Sequence, residues 1–294
     1  MNPSVELTSE DKNTFKFTLS GINVCFANAI RRTILSDIPT LCIDTTPDNC
    51  KIEINNSRLH NEILKERLNA IPVCAKDVET IVEKYFVEVD VKNDTDNMIY
   101  ITTKDFKIKH KETEKPIEEQ MRDKIFPPND TTGYYIDFAR LGCFIDNNIE
   151  KEQIKLKANF TVKTASDSGC FSCVSKCTYE NTKDKEKIIE IWQNEENELL
   201  KKQGVDNISE VNSDEKSSVR DMIEFKKRDF MSLDSQKHFV PNSFDFTIET
   251  IGVFGNRELS SKACVLLQNE FVDFNIDLEK NTYIIEKSSY MVEH

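Results

Sequence analysis

Ile22-Asn23-Val24-Cys25-Phe26-Ala27-Asn28-Ala29-Ile30-Arg31-Arg32-Thr33-Ile34-Leu35-Ser36-Asp37-Ile38-Pro39 is the stretch on which the reading of this chain turns. A short alternating strand, Phe15-Lys16-Phe17-Thr18-Leu19, and a Ser20-Gly21 turn precede it. Asn23 is a helix cap, with Ile22 before it as a hydrophobic staple. Phe26, Ala29, Ile30, Thr33 and Ile34 recur at three- and four-residue steps and form one apolar stripe. Pro39 excludes the helical conformation just before it, so the helix ends near Asp37 or Ile38. Arg31 and Arg32 interrupt this apolar helix. Adjacent residues lie about 100° apart on a helix, so the two arginines serve different faces. Solvation, or compensation of the helix dipole, is as good an account of them as a specific contact.

The same grammar returns near the other end. Phe244, Phe246, Ile248 and Thr250 alternate against Asp245, Thr247 and Glu249, Gly252 breaks the strand, and Asn256 can cap a long helix. Its stripe is Leu259, Ala263, Leu266, Leu267, Phe271 and Phe274. One sheet face can be covered by both helices. The first helix carries a stripe wider than that sheet needs, and the excess predicts helices from a second chain.

Between these ends the pattern is mainly β. Leu41-Cys42-Ile43 and Lys51–Asn56 read as strands, and Ser57 can cap a helix striped by Leu59, Ile63, Leu64 and Leu68 and closed by Pro72. Its other face carries Glu62, Lys65, Glu66 and Arg67. Phe86–Val91 and Met98–Ile101 are joined by the polar Asn93–Asn97 turn, which predicts a hairpin. Phe106 and Ile108 continue the β pattern. Residues 111–133 read as a loop with one helical turn, and Tyr134–Leu141 and Lys155–Val162 as strands. Lys185–Lys202 and Arg220–Phe230 read as helices, with the polar 204–218 segment between them as a mobile link. Thr282-Tyr283-Ile284-Ile285 suggests a short final strand.

A formal net charge of −13 over 294 residues argues against a general nucleic-acid-binding face, which needs basic groups to displace counterions. No apolar run is long enough for a membrane span, and the N-terminus lacks the features of a secretory signal. The expected setting is therefore intracellular, where the nine scattered cysteines should be reduced. Cys170, Cys173 and Cys177 are the one clustered set. Structural zinc wants four ligands in paired spacing, and no second pair occurs. A redox Cys-x-x-Cys wants a helix N-terminus, whereas this stretch reads as loop and strand. Phosphate-cradling glycine motifs, a nucleophile elbow and an acidic magnesium cluster are all missing, so no catalytic residues and no cofactor or metal are assigned.

Ala27–Pro39 with Ile43-Asp44, then Asn56–Pro72, then Phe244–Val253 resemble three blocks of the alpha-type assembly subunits of cellular RNA polymerases. That family comprises the bacterial alpha subunit, the archaeal D subunit and the third-largest subunit of RNA polymerase II. The resemblance implies an α+β fold: a discontinuous dimerisation domain (1–50 plus 238–294), with a mixed or antiparallel sheet and two long helices. A larger, mainly β domain (51–237) interrupts it, with a divergent insertion at about 180–237. It also implies a non-catalytic assembly platform for transcription, paired with an eleventh-subunit-like chain or, failing that, with itself.

The implied dimer interface is Phe26, Ala29, Ile30, Thr33, Ile34, Leu259, Ala263, Leu266 and Phe271. Docking of the second-largest subunit is implied for Asn28, Arg31, Arg32, Glu62, Arg67, Ile71 and Pro72, with the choice between the two arginines open. Small tenth- and twelfth-type subunits are further implied neighbours. A cysteine-rich zinc loop that some members carry near 75–85 does not transfer, because only Cys74 and Cys143 lie near. The bacterial C-terminal DNA-binding domain is likewise not expected. The divergent insertion and the Asn/Lys/Ile/Asp-rich composition suggest a large DNA virus. The compartment is then host cytoplasm or virion, against the nucleus for a cellular enzyme. Two rival readings are a zinc or thiol-redox module at Cys170, Cys173 and Cys177, and a free-standing acidic interaction protein using the 180–237 insertion.

Overall fold

The computed structural model describes residues 2–75, 77–143, 151–202 and 217–290. It is an α+β architecture whose defined strand registers are antiparallel. The chain divides into two compact units, one of 1–10, 15–28 and 178–247, the other of 11–14, 29–177 and 248–294. The helical insertion thus groups with the strands near both chain ends, not with the central β region.

The first unit is built on a four-stranded sheet. β1 (Ser4–Glu10) and β2 (Thr14–Ser20) form a hairpin, and the order continues through β11 (Phe239–Thr250) to β10 (Val174–Lys183). Period-two alternation sorts the two faces. On one, Phe15, Phe17, Leu19, Phe244 and Phe246 are buried. On the other, Thr18 Oγ1 donates to Asp245 Oδ1 (2.6 Å), Thr182 Oγ1 to the same oxygen (2.9 Å) and Ser243 Oγ to Thr182 Oγ1 (2.8 Å). The insertion supplies α5 (Lys185–Lys202) and α6 (Ser217–Ser232). Ile188, Trp192, Leu200, Ile223 and Phe230 form their shared core. Ile189, next to the buried Ile188, is exposed. Residues 203–216, which include most of the expected mobile link, lie outside the described residues.

The second unit centres on β9 (Gln153–Lys163). This strand pairs β3 (Thr40–Ile43) and β4 (Cys50–Asn55) in turn along one edge and β5 (Tyr85–Lys92) along the other. β7 (Lys107–His110) then pairs β5. Ile154, Leu156, Ala158 and Phe160 alternate inward from β9. They join Leu64 and Leu68 of α2 (Asn61–Asn69), Ile81 of α3 (Val78–Lys84), and Phe106, Phe126 and Phe138 in one core. Phe126 follows α4 (Glu119–Ile125), the helical turn expected within 111–133.

Several expectations are corrected here. β6 (Ile99–Thr102) does not form a hairpin with β5; it pairs β8 (Asp137–Leu141) in a separate ribbon. β7 and β9 occupy both edges of β5. The intervening Asn93 is fully buried and donates from Nδ2 to Asn97 O and Gly142 O, which redirects the chain. Ser57 does not cap α2. Its amide and hydroxyl both donate to Asn55 Oδ1, and the helix starts four residues later with no side-chain cap. Ile63 consequently points to solvent. α3 has no counterpart in the sequence reading; Asp77 caps it by accepting from Thr80 N. The tail at 282–285 is not a strand, because α7 (Asn256–Tyr290) runs through it with no glycine or proline to stop it.

Candidate subunit interface

α1 (Val24–Ser36) forms where the sequence places it. Asn23 Oδ1 accepts from Cys25 N at 3.0 Å, satisfying one of the orphan amides of the first turn. Asp37 N still reaches Thr33 O (3.0 Å), and the helix stops before Pro39. Its stripe divides in two. Ala27, Thr33 and Ile34 are buried within the chain, whereas Ala29 and Ile30 are half-buried and Val24 and Phe26 are exposed.

The last helix repeats this division along its length. Leu259 and Ala263 are sealed, Leu266 is half-buried, and Phe271 and Phe274 are 53% and 60% exposed. Val265, Val272, Ile276 and Leu278 are exposed as well, so between 265 and 278 α7 shows apolar side chains beyond the one stripe, with Asn269, Asp273 and Asp277 on the polar side. Of the nine residues expected at the dimer interface, Thr33, Ile34, Leu259 and Ala263 are therefore consumed by the chain's own core. Phe26, Ala29, Ile30, Leu266 and Phe271 remain accessible in whole or part. The stripe read from the sequence omits Val265, Val272, Ile276 and Leu278, although their own steps of seven, four and two residues lie in it. Asn256, expected as the cap of α7, instead donates from Nδ2 to Asp11 O (2.9 Å); its Oδ1 is buried without a partner. At the foot of α7, Lys262 Nζ stands 3.9 Å over the Phe254 ring and 3.2 Å from Glu258 Oε1.

The expected docking residues separate equally clearly. Arg32 is exposed and makes no hydrogen bond or ion pair within the described residues, whereas Arg31 is half-buried near the Cys177 thiol. Arg67 is exposed but bonded to its own chain: Nε donates to Phe138 O (2.5 Å) and Nη2 to Asp137 O (3.0 Å), tying α2 to β8. Ile71 is core, Asn28 and Pro72 are half-buried, and Glu62 is exposed.

The cysteine cluster is built for packing. Cys42 Sγ lies 3.4 Å from Cys170 O and Cys173 Sγ lies 3.6 Å from Ile34 O. Burial pushes the Cys42 and Cys177 thiols up to about 12 and that of Cys173 to about 11. Such groups stay protonated at neutral pH, unlike the thiolate that a nucleophile needs. Among the described residues no group of three His, Cys, Asp or Glu is placed to hold a metal ion. Among them, too, no helix is long and apolar enough to cross a membrane.

The RNA polymerase Rpb3/Rpb11 dimerisation domain model matches residues 16–271, from inside β2 to the exposed part of α7. The DNA-directed RNA polymerase subunit Rpo3 of Thermococcus kodakarensis is 26% identical over 282 residues, covering 91% of this chain and 95% of its own length. The DNA-directed RNA polymerase II subunit rpb3 of Dictyostelium discoideum is 32% identical over 77 residues, 26% of this chain and 24% of its own. The Rpo3 subunit of Methanosarcina acetivorans is 38% identical over 80 residues, 27% of this chain and 28% of its own.

Proposed function

The chain belongs to the RNA polymerase Rpb3/Rpb11 dimerisation family, and from that premise we propose that it pairs with a smaller, eleventh-subunit-like sister chain and with it docks the second-largest catalytic subunit. One observation carries the reading: α7 exposes Val265, Phe271, Val272, Phe274, Ile276 and Leu278, on a helix whose Leu259 and Ala263 are sealed in the core. An amphipathic helix buries one stripe; large apolar side chains exposed beyond that stripe ask for cover from elsewhere. Obligate interfaces of this kind bury upward of about 2,000 Å².

In this reading the dimerising elements come from 1–50 and 238–294. Phe26, Ala29, Ile30, Leu266 and Phe271 meet the sister chain, and Thr33, Ile34, Leu259 and Ala263 support them from beneath. Arg32 is the docking arginine, offering its guanidinium to a carboxylate or carbonyl fork on the large subunit. Asn28, Glu62 and Pro72 flank that contact. The chain contributes no chemistry to nucleotide addition and acts as a platform. Small tenth- and twelfth-type subunits complete the assembly.

Co-expression with the shorter dimerisation-domain chain of the same organism, followed by native mass spectrometry, tests the pairing. The expected species is a one-to-one heterodimer. A monomer that stays monodisperse in the presence of that chain overturns the proposal, and a stable self-dimer replaces the sister with a second copy.

A further inference from the structure

β1 follows the sorting of its sheet but lacks its cover. Val5 stands opposite Leu19 and Leu7 opposite Phe17, so the pair points to the face where Phe15, Phe17 and Leu19 are buried. Ser4 and Glu6 share the hydroxyl- and carboxylate-lined face with Ser20 and Thr18. The register is thus the one that sends apolar side chains inward, and a one-residue slip would exchange them for Ser4 and Glu6. Yet Val5 is 66% and Leu7 49% exposed. The buried layer of this sheet stops at β2.

The edge is open too. Among the described residues no strand lies beyond β1, whose pairing with β2 shifts register between Leu7 and Ser9. The Ser4 end of β1, paired with Ser20, lies beside the turn that leads into α1. At Gly21 (φ +75°) a Cβ would collide with Asn2 O, so the beginning of the chain is pressed against the turn that leads into that helix. Val24, its first residue, is 49% exposed. The family match begins at residue 16, so β1 lies ahead of the matched segment.

We propose that the dimer partner covers β1 as well as α1, an apolar segment of the sister chain lying over Val5 and Leu7 and extending the sheet's buried layer past β2. This rests on the dimerisation reading above. Its occupant is the sister chain because the exposed pair adjoins the helix that the sister chain contacts.

The test places a benzophenone amino acid at position 5, 6, 7 or 24 of the chain within the assembled polymerase, followed by irradiation and identification of the crosslinked polypeptide. Positions 5, 7 and 24 should capture the same dimerisation-domain polypeptide, with position 6, on the other face, at least tenfold lower. If 24 captures it while 5 and 7 give no more than 6, or capture a different polypeptide, β1 is outside the interface and this inference falls while the dimer stands. If 24 captures nothing, the dimer reading falls and takes this one with it. As a second measurement, Val5→Asp with Leu7→Asp should speed dissociation of the sister chain at least tenfold without moving the thermal midpoint of the free subunit. Glu6→Lys should leave dissociation unchanged; equal rates for both variants overturn the inference.

Discussion

The rings of Phe17 and Phe246 stack, centroids 5.1 Å apart and planes within 4° of parallel. Phe17 comes from the strand before α1 and Phe246 from the strand before α7, so one aromatic pair staples the two distant strand–helix segments at the level of the sheet. Both rings are buried. Phe246→Ala should cost about 3–5 kcal/mol of stability, the usual range for truncating a buried phenylalanine. Lys16→Ala, on the exposed side of the same strand as Phe17, should fall within about 0.5 kcal/mol of wild type. Urea unfolding midpoints at constant slope measure both.

Arg67 offers a separation of structure from docking. Its two bonds to β8 carbonyls are charge-assisted, and Arg67→Ala should destabilise the chain by about 1.5–3 kcal/mol while leaving those carbonyls to water. Arg67→Lys cannot reproduce the fork and should recover less than half of that. Recruitment of the large subunit, scored by co-purification at a temperature where the variant is folded, should be unchanged.

Arg32→Ala should behave in the opposite way. With no partner inside the described chain to lose, the folded subunit should keep its melting temperature and its sister-chain affinity. Binding of the second-largest subunit should weaken by about 2–5 kcal/mol, the cost of leaving a buried interfacial charge unpaired. Arg31→Ala should instead lower the melting temperature. Retention of the large subunit by Arg32→Ala in a co-purification at physiological salt would remove Arg32 from the docking site.

The buried thiols predict an alkaline limit. Folding raises Cys42 and Cys177 to about 12 and Cys173 to about 11, from the ordinary 9.0. A group whose folded pKa is raised contributes stability that is complete below its unfolded pKa and is lost as pH rises toward the folded value. Stability should therefore decline from about pH 9, each of the three thiols contributing up to about 1.4 kcal/mol per pH unit. Cys177→Ala should flatten that slope in pH-dependent unfolding. At pH 8, iodoacetamide should modify the exposed Cys25 and Cys143 well before these three.

Both strand–helix pairs are legible in the sequence because each carries its own punctuation: period-two alternation, then Gly21 or Gly252, then a helix. Asn23 does cap α1. Asn256 carries the same residue type in a similar setting but turns to Asp11 O, a contact from the far end of the chain that no local pattern announces. The expected β5–β6 hairpin fails for a related reason. The Asn93–Asn97 turn is readable, but the partner of β6 is fixed by Asn93 reaching Gly142, on the far side of several elements. Among the expected interface residues, periodicity identifies the apolar face of each helix. It cannot say which half of that face the chain itself consumes, because Ile34 and Ile30 look alike in sequence and differ only in what packs above them.

α7 is 35 residues long, which at about 1.5 Å per residue is about 52 Å. Helices without tertiary support are marginal in water even at a dozen residues or more. Between Val265 and Leu278 six large apolar side chains stand exposed, so in the dimer reading the sister chain would lend this stretch its support. Copies synthesised in excess of the sister chain would present a fraying, greasy rod to proteases and chaperones, while paired copies would hide it. Subunit stoichiometry in the finished enzyme would then be kept by selective destruction of the surplus, with this one helix acting as its gauge.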